Sequence, residues 1–125
     1  ASDGRLFLQT LLRPKYHNTA HMDEAIDEYV RAYSKPSALR GGFAYDGEVF
    51  EENPAIDAEN PKDKIKEKVR MLWGNSGGIG GFDVLDMWKK CAPHATGRGL
   101  DDCGHYIHEE QPEILAAEIL AFGQE

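Results

Sequence analysis

The sequence predicts an α/β fold, in which a parallel sheet with flanking helices is preceded by a region made of helices alone. Two observations carry this prediction. Residues 67–125 alternate between strand-like and helical segments, in the order strand, helix, strand, helix. Residues 1–66 show helical periodicity and end in an acidic segment that is typical of a solvated connector. We therefore divide the chain into residues 1–66 and residues 67–125.

The first region is predicted to contain a helix over the segment MDEAIDEYVRAYSK, which places on one face the residues Ile26, Tyr29, Val30 and Tyr33. This helix should end before Pro36, because a proline ring disfavours the helical conformation of the residue that precedes it. Another helix is expected to begin at that proline, since proline suits the first helical position.

The second region begins with the strand-like run VRMLW at Val69–Trp73, which is followed by the glycine-rich loop GNSGGIGG. Asp83 can cap the next helix, in which Leu85, Trp88 and either Cys91 or Ala92 should face inward. The segment TGRGLDD predicts the second strand, and Pro112 opens the last helix. Two parallel strands cannot bury both faces of a sheet, so we expect this region to be the end of a larger sheet.

Charge and composition exclude several classes of protein. With 22 acidic and 14 basic residues the net charge is −8, so the chain should repel both nucleic acid and anionic membrane surfaces. No apolar run approaches the roughly 18 residues that a membrane span requires. Cys91 and Cys103 match neither a disulfide framework nor a metal motif, and they favour a reducing, cytoplasmic location over a secreted or periplasmic one. We expect no nucleic-acid partner and no membrane association.

Two patterns approach known ligand sites without matching them. The loop GNSGGIGG lacks the lysine of a P-loop and the glycine spacing of a dinucleotide site. His105 and His108 form an H-x-x-H pair, to which Cys103 or Glu109 would add a zinc ligand. The usual two-histidine zinc motifs lie on one helix face, however, and here the helix is expected to begin near Pro112. We therefore predict no cofactor and no metal.

His105 differs from the other histidines in its position. It follows the second predicted strand, at the edge of the sheet where α/β proteins place their active sites. Imidazole is also the usual proton carrier near neutral pH. His105 is therefore a candidate catalytic residue, and the alternative is a solvated histidine.

Three segments in this order resemble the C-terminal part of the α/β-hydrolase fold. DEYVRAYSKPSALRGGFAY is similar to the end of the helical cap, and MLWGNSGGIGGFDVLDMWKKCA to the seventh strand, its loop and the next helix. CGH, followed by EEQPE and a helix, is similar to the loop that carries the triad histidine, which comes last in these chains. The branch that the segments resemble contains Cif-type epoxide hydrolases and fluoroacetate-type dehalogenases.

The resemblance implies an α/β-hydrolase core portion over residues 67–125 and the end of a helical cap, with its connector, over residues 1–66. It places the nucleophile and the triad acid in the N-terminal half of the same hydrolase, which becomes the expected protein partner of this chain. A homodimer is compatible with these features.

The resemblance also implies a hydrolase that acts on a small-molecule epoxide or haloacid. An aspartate attacks carbon to form an alkyl-enzyme ester, and His105 is the general base for the water that hydrolyses it. In this family a cap tyrosine donates a hydrogen bond to the leaving oxygen or halide. An ungapped alignment puts Asp46 at that position and a one-residue deletion puts Tyr45 there, so Tyr45 is the candidate substrate-binding residue. The alternative is a non-catalytic remnant or interaction protein that lacks a complete site.

Overall fold

The computed structural model describes residues 4–35, 37–38, 40–41, 44 and 64–124. In the first region, helix α1 spans Gly4–Leu12, a 3-10 turn follows at Arg13–Lys15, and helix α2 spans Thr19–Tyr33. The second region contains strand β1 (Arg70–Gly74), helix α3 (Val84–Lys89), strand β2 (Thr96–Leu100), helix α4 (Ile107–Glu110) and helix α5 (Pro112–Phe122). The predicted order of strand, helix, strand and helix is therefore present, and the short helix α4 before Pro112 is an addition that the sequence does not predict.

Helix α2 begins and ends with local hydrogen bonds. The side chain of Asn18 accepts a hydrogen bond of 3.0 Å from the amide of Ala20, which is the usual role of asparagine before a helix. At the other end the amide of Ser34 donates to the carbonyl of Val30 at 2.9 Å. Helices α1 and α2 pack against each other. Their buried side chains are Leu8 on α1 and Met22 and Ile26 on α2.

The predicted end of α2 before Pro36 is confirmed, since the helix stops at Tyr33. Positions 37, 38, 40, 41 and 44 are helical, but the rest of the helix expected after Pro36 lies outside the described residues. The connector at 46–63 lies outside them too, so the division of the chain at residue 66 stays a prediction.

Strands β1 and β2 pair in parallel, with Arg70 opposite Thr96 and Gly74 opposite Leu100. The connection between them runs through α3, whose first residue follows Asp83. The Asp83 side chain accepts a hydrogen bond of 3.0 Å from the amide of Asp86, as the sequence predicts.

The prediction that Trp88 faces inward is wrong, because its side chain remains 40% exposed. Helix α3 has only six residues. It buries Val84 at its start, and Ala92 is buried just beyond its end. The side chains of residues 86–90, which lie between them, stay exposed.

Helix α5 is joined to both strands by one carboxylate. Glu118 accepts a hydrogen bond from Arg70 on β1 at 3.2 Å and another from Arg98 on β2 at 2.9 Å. Hydrogen bonds from these two guanidinium groups, Arg98 first, hold the pKa of Glu118 below its ordinary value. The guanidinium of Arg70 also lies 5.5 Å from the ring centre of Phe122.

None of the helices in the described ranges is long and apolar enough to cross a membrane.

Candidate active site at the end of strand β2

His105 lies where strand β2 gives way to the last two helices. The chain leaves β2 at Leu100 and turns at Asp102, whose φ of 52° is left-handed, a conformation that aspartate tolerates better than most residues. Cys103 and Gly104 follow and are buried, and His105 emerges exposed. The structure thus puts the candidate histidine at the carboxyl end of a parallel strand.

The loop after β1 is fastened to the turn after β2. The amide of Asn75 donates to the carbonyl of Leu100 at 2.9 Å, and the amide of Ser76 donates to the carbonyl of Cys103 at 3.0 Å. The side-chain amide of Asn75 also donates to the Asp101 carboxylate at 2.8 Å. The glycine-rich loop therefore starts in a fixed position beside His105.

Two glycines allow three backbone segments to meet in front of His105. A Cβ atom on Gly74, the last residue of β1, would overlap the carbonyl oxygen of Gly104. A Cβ atom on Gly104 would lie 2.6 Å from both the amide nitrogen of His17 and a carboxylate oxygen of Glu110. Glycine precedes the histidine because no side chain fits there.

The backbone of His105 is held by the first region of the chain. Its amide donates to the carbonyl of Lys15 at 2.7 Å. The imidazole ring makes an edge contact with Tyr106, at 5.0 Å between ring centres and 86° between planes. Tyr106 in turn lies 4.7 Å from the ring centre of Tyr16. The main chain of His105 is thus fixed while its imidazole stays accessible.

Glu110 is the acceptor for three backbone amides. One carboxylate oxygen accepts from Gly104 at 2.9 Å, and the other accepts from both His17 and Asn18, each at 2.9 Å. Hydrogen bonds to an ionised acceptor are the stronger kind. This carboxylate therefore links the turn before His105 to the segment before α2.

The neighbouring Glu109 binds two phenols. The hydroxyl of Tyr16 donates to one of its oxygens at 2.5 Å, and the hydroxyl of Tyr29 on α2 donates to the other. The Glu109 side chain is only 16% exposed. Burial, together with the hydrogen bond to Glu109, raises the pKa of Tyr16 and of Tyr29 above the ordinary value.

The stability of the fold should fall at alkaline pH because of this cluster. A tyrosine whose pKa is raised on folding stabilises fully below the unfolded pKa of about 10, and that contribution is lost as pH rises above it. We expect Tyr16→Phe combined with Tyr29→Phe to flatten the loss between about pH 9 and pH 11. Urea unfolding across this range measures it, with Tyr33→Phe, exposed on the same helix, as the control. Equal slopes in parent and double variant would contradict the prediction.

A cleft of about 400 Å³ opens beside the imidazole. Its walls comprise residues 70–72 of β1, His105, residues 107–108 and one face of α5. That face consists of Leu115, Glu118, Ile119 and Phe122.

The structure does not test every site residue that the sequence predicts. Tyr45 and its alternative Asp46 lie outside the described residues, so their relation to His105 stays a prediction. Among the residues that the structure describes, no group of three or more His, Cys, Asp or Glu side chains could hold a metal ion. The sequence does not predict the hydrogen bonds of Glu109 and Glu110, because their partners at residues 16–18 and 29 are 80 or more positions away.

The amino-acid sequence of the chain is similar to that of an epoxide hydrolase. It is 30% identical over 128 residues to the soluble epoxide hydrolase of Corynebacterium sp. strain C12, and this covers 98% of the chain and 42% of the relative. The chain thus spans less than half the length of the curated relative that it matches. No family model matches the sequence.

Solved structures agree with the fold over nearly the whole chain. The epoxide hydrolase CorEH superimposes with a TM-score of 0.85 at 26% identity, covering 96% of this chain and 42% of that one. ALR0039 from Nostoc sp. PCC 7120, provisionally named an α/β-hydrolase, has a TM-score of 0.85 at 29% identity, with 97% and 42% covered. A Salmonella enterica protein provisionally named an acyltransferase has a TM-score of 0.86 at 27% identity, with 98% and 41% covered. The fold and the resemblance predicted from the sequence are confirmed: the chain corresponds to the C-terminal part of an α/β-hydrolase and is similar to epoxide hydrolases.

Proposed function

We propose that this chain is the C-terminal portion of a capped α/β-hydrolase that opens a small epoxide or haloacid through an alkyl-enzyme ester. The observation that carries the proposal is the position of His105, exposed on a glycine-anchored turn at the end of β2. The likeness to a soluble epoxide hydrolase over 98% of the chain supports this reaction over others that the fold can host.

In the proposed reaction, an aspartate outside this chain attacks carbon, and either the epoxide C–O bond or the carbon–halogen bond breaks. The departing alkoxide takes a proton from a donor on the cap, whereas a halide leaves as the anion. Water then attacks the ester carbonyl while His105 accepts its proton. Cleavage of the ester restores the aspartate and releases a diol or a hydroxy acid. These steps need no cofactor.

Two features of the described residues support this role for His105. Its side chain is exposed at the carboxyl end of β2, where α/β proteins place their active sites. Its main chain is fixed on both sides, by the Lys15 carbonyl and by the contact of Gly104 with Gly74. A general base needs both access to the reacting water and a fixed position.

The protein partner that we propose is the N-terminal half of the same hydrolase. Large apolar side chains stay more than 60% exposed on several elements of the described structure: Leu6, Phe82, Ile119 and Leu120. The other half of the fold would cover apolar side chains of this kind. Residues 70–72 of β1 also line the cleft beside His105, and a further sheet strand would pack there.

The mechanism predicts where the oxygen of water goes, and this tests the proposed function. With the full-length protein in excess over a small epoxide in ¹⁸O-labelled water, the first diol formed should lack the label, and the label should enter a protein carboxylate. This follows because water attacks the ester carbonyl and not the substrate carbon. Label in the first diol would indicate direct attack by water. Failure to form either a diol from an epoxide or a hydroxy acid from a haloacid would favour a non-catalytic protein.

The donor on the cap is proposed to be Tyr45. A phenol can donate a hydrogen bond to a developing alkoxide, whereas the alternative residue, Asp46, could only accept one when ionised. Tyr45→Phe should therefore lower epoxide turnover by about 10- to 100-fold, and Asp46→Asn should change it little. Steady-state diol formation by the two full-length variants measures this. Loss of activity in the Asp46 variant alone would exclude an anionic leaving group.

A further inference from the structure

Glu110 lies five residues after His105 and uses both of its carboxylate oxygens. One serves the amide of Gly104, and the other serves the amides of His17 and Asn18, all at 2.9 Å. The donors belong to two segments of the chain that are far apart in sequence. A carboxylate offers two acceptor oxygens, whereas the amide of glutamine offers only one.

The bonds of Glu110 surround the histidine on its main-chain side. Gly104, which Glu110 holds, comes directly before His105, and the amide of His105 donates to the carbonyl of Lys15 at 2.7 Å. Lys15 lies two residues before His17, whose amide Glu110 also holds. The four contacts therefore form a closed ring of hydrogen bonds around the backbone of residues 104–105.

We propose that Glu110 is a positioning residue that keeps the imidazole of His105 within reach of the hydrolytic water. This inference rests on the proposed function and extends it to a residue outside the triad. The imidazole is exposed, so the backbone at residues 104–105 does most to set its place. A displacement of about 1 Å at a catalytic group can slow a reaction by as much as 100-fold.

The proposal predicts an effect on one chemical step only. Formation of the alkyl-enzyme uses the aspartate and the leaving-group donor, whereas its hydrolysis uses His105. Loss of the Glu110 carboxylate should therefore slow hydrolysis and leave alkylation unchanged. A merely structural role would lower the amount of active protein, and with it the amplitude of both steps, without slowing hydrolysis relative to alkylation.

Glu110→Gln in the full-length protein tests the role directly. Glutamine places an NH₂ group where one oxygen stood, so it must face at least one N–H donor. Hydrolysis of the alkyl-enzyme should slow about tenfold, with alkylation within about twofold of the parent. Rapid quenching and mass spectrometry measure the two steps, and Glu113→Gln, an exposed glutamate in the first turn of α5, is the control.

Amide hydrogen exchange gives a second readout that does not depend on the reaction. The amides of His17, Asn18 and Gly104 should exchange about tenfold faster in Glu110→Gln than in Glu113→Gln. If Glu110→Gln does not fold, Glu110→Asp, which keeps the charge on a shorter side chain, should show the same selective defect.

The possible failures are distinguishable. A parent protein that forms no alkyl-enzyme would overturn the proposed function, and the catalytic role of Glu110 with it. A parent that forms the intermediate, with both steps slowed equally or neither slowed in the variant, would overturn the role of Glu110 alone. Unchanged exchange at the three amides would show that the carboxylate does not hold them.

Discussion

His105→Gln in the full-length protein should stop the reaction after its first chemical step, so that the alkyl-enzyme accumulates. Glutamine has no group that can accept a proton from water near neutral pH, while the attack by the nucleophile does not use His105. The rate of product release should fall by about 100- to 10,000-fold, which is the usual contribution of a general base. Intact-mass spectrometry after addition of an epoxide should detect protein that carries the mass of the substrate.

His94→Gln is a matched control for that experiment. His94 is exposed, and its ring nitrogen contacts the main-chain carbonyl of Glu67, a contact that a glutamine amide can replace. This variant should turn over at the parent rate and retain no adduct. If His105→Gln also turned over at the parent rate, His105 would have a structural role, and the assignment of the base would be wrong.

Gly74→Ala should be among the most destabilising single changes in this chain. The added methyl group would overlap the carbonyl oxygens of both Cys103 and Gly104, which are backbone atoms that cannot rotate away. The strand end or the turn before His105 must then move, at a cost of about 3 kcal/mol in the free energy of unfolding. Urea unfolding of the full-length protein measures this cost.

Gly78→Ala, in the same glycine-rich loop, separates steric overlap from the general effect of replacing glycine. A Cβ atom at Gly78 would meet nothing within 4 Å. The free energy of unfolding of Gly78→Ala should therefore differ from that of the parent by less than about 1 kcal/mol. Equal losses for the two variants would show that the contact between Gly74 and Gly104 is not tight.

The two strands and the helices after Asp83 and at Pro112 could be predicted from the sequence because their signals are local. Asp83 and Pro112 mark helix starts through the backbone groups next to them, and the strand-like run at Val69–Trp73 agrees with β1 at Arg70–Gly74 within one residue. The place of His105 after a strand follows from the same local pattern. The prediction for Trp88 is wrong because periodicity identifies a helix face but not how much of it a short helix can bury.

The arrangement around the histidine could not be predicted in this way. Glu109 and Glu110 bind phenols and amides of residues 16–18 and 29, which are 80 to 93 positions distant. The need for glycine at Gly104 likewise depends on the approach of Lys15 and His17, which only the folded chain brings there. Long-range contacts leave no mark in a single sequence when one side of the contact is main chain.

The ring of hydrogen bonds at Glu110 constrains the amino-acid sequence more at Glu110 than in the first region of the chain. Its contacts on the side of the first region are all backbone atoms: the carbonyl of Lys15 and the amides of His17 and Asn18. Any residue except proline can supply such an amide, so evolution or design could change the side chains at 17 and 18 without removing a donor. The glutamate has no such freedom. A chimera that exchanges the helical region between relatives should therefore retain this junction if the incoming backbone follows the same path.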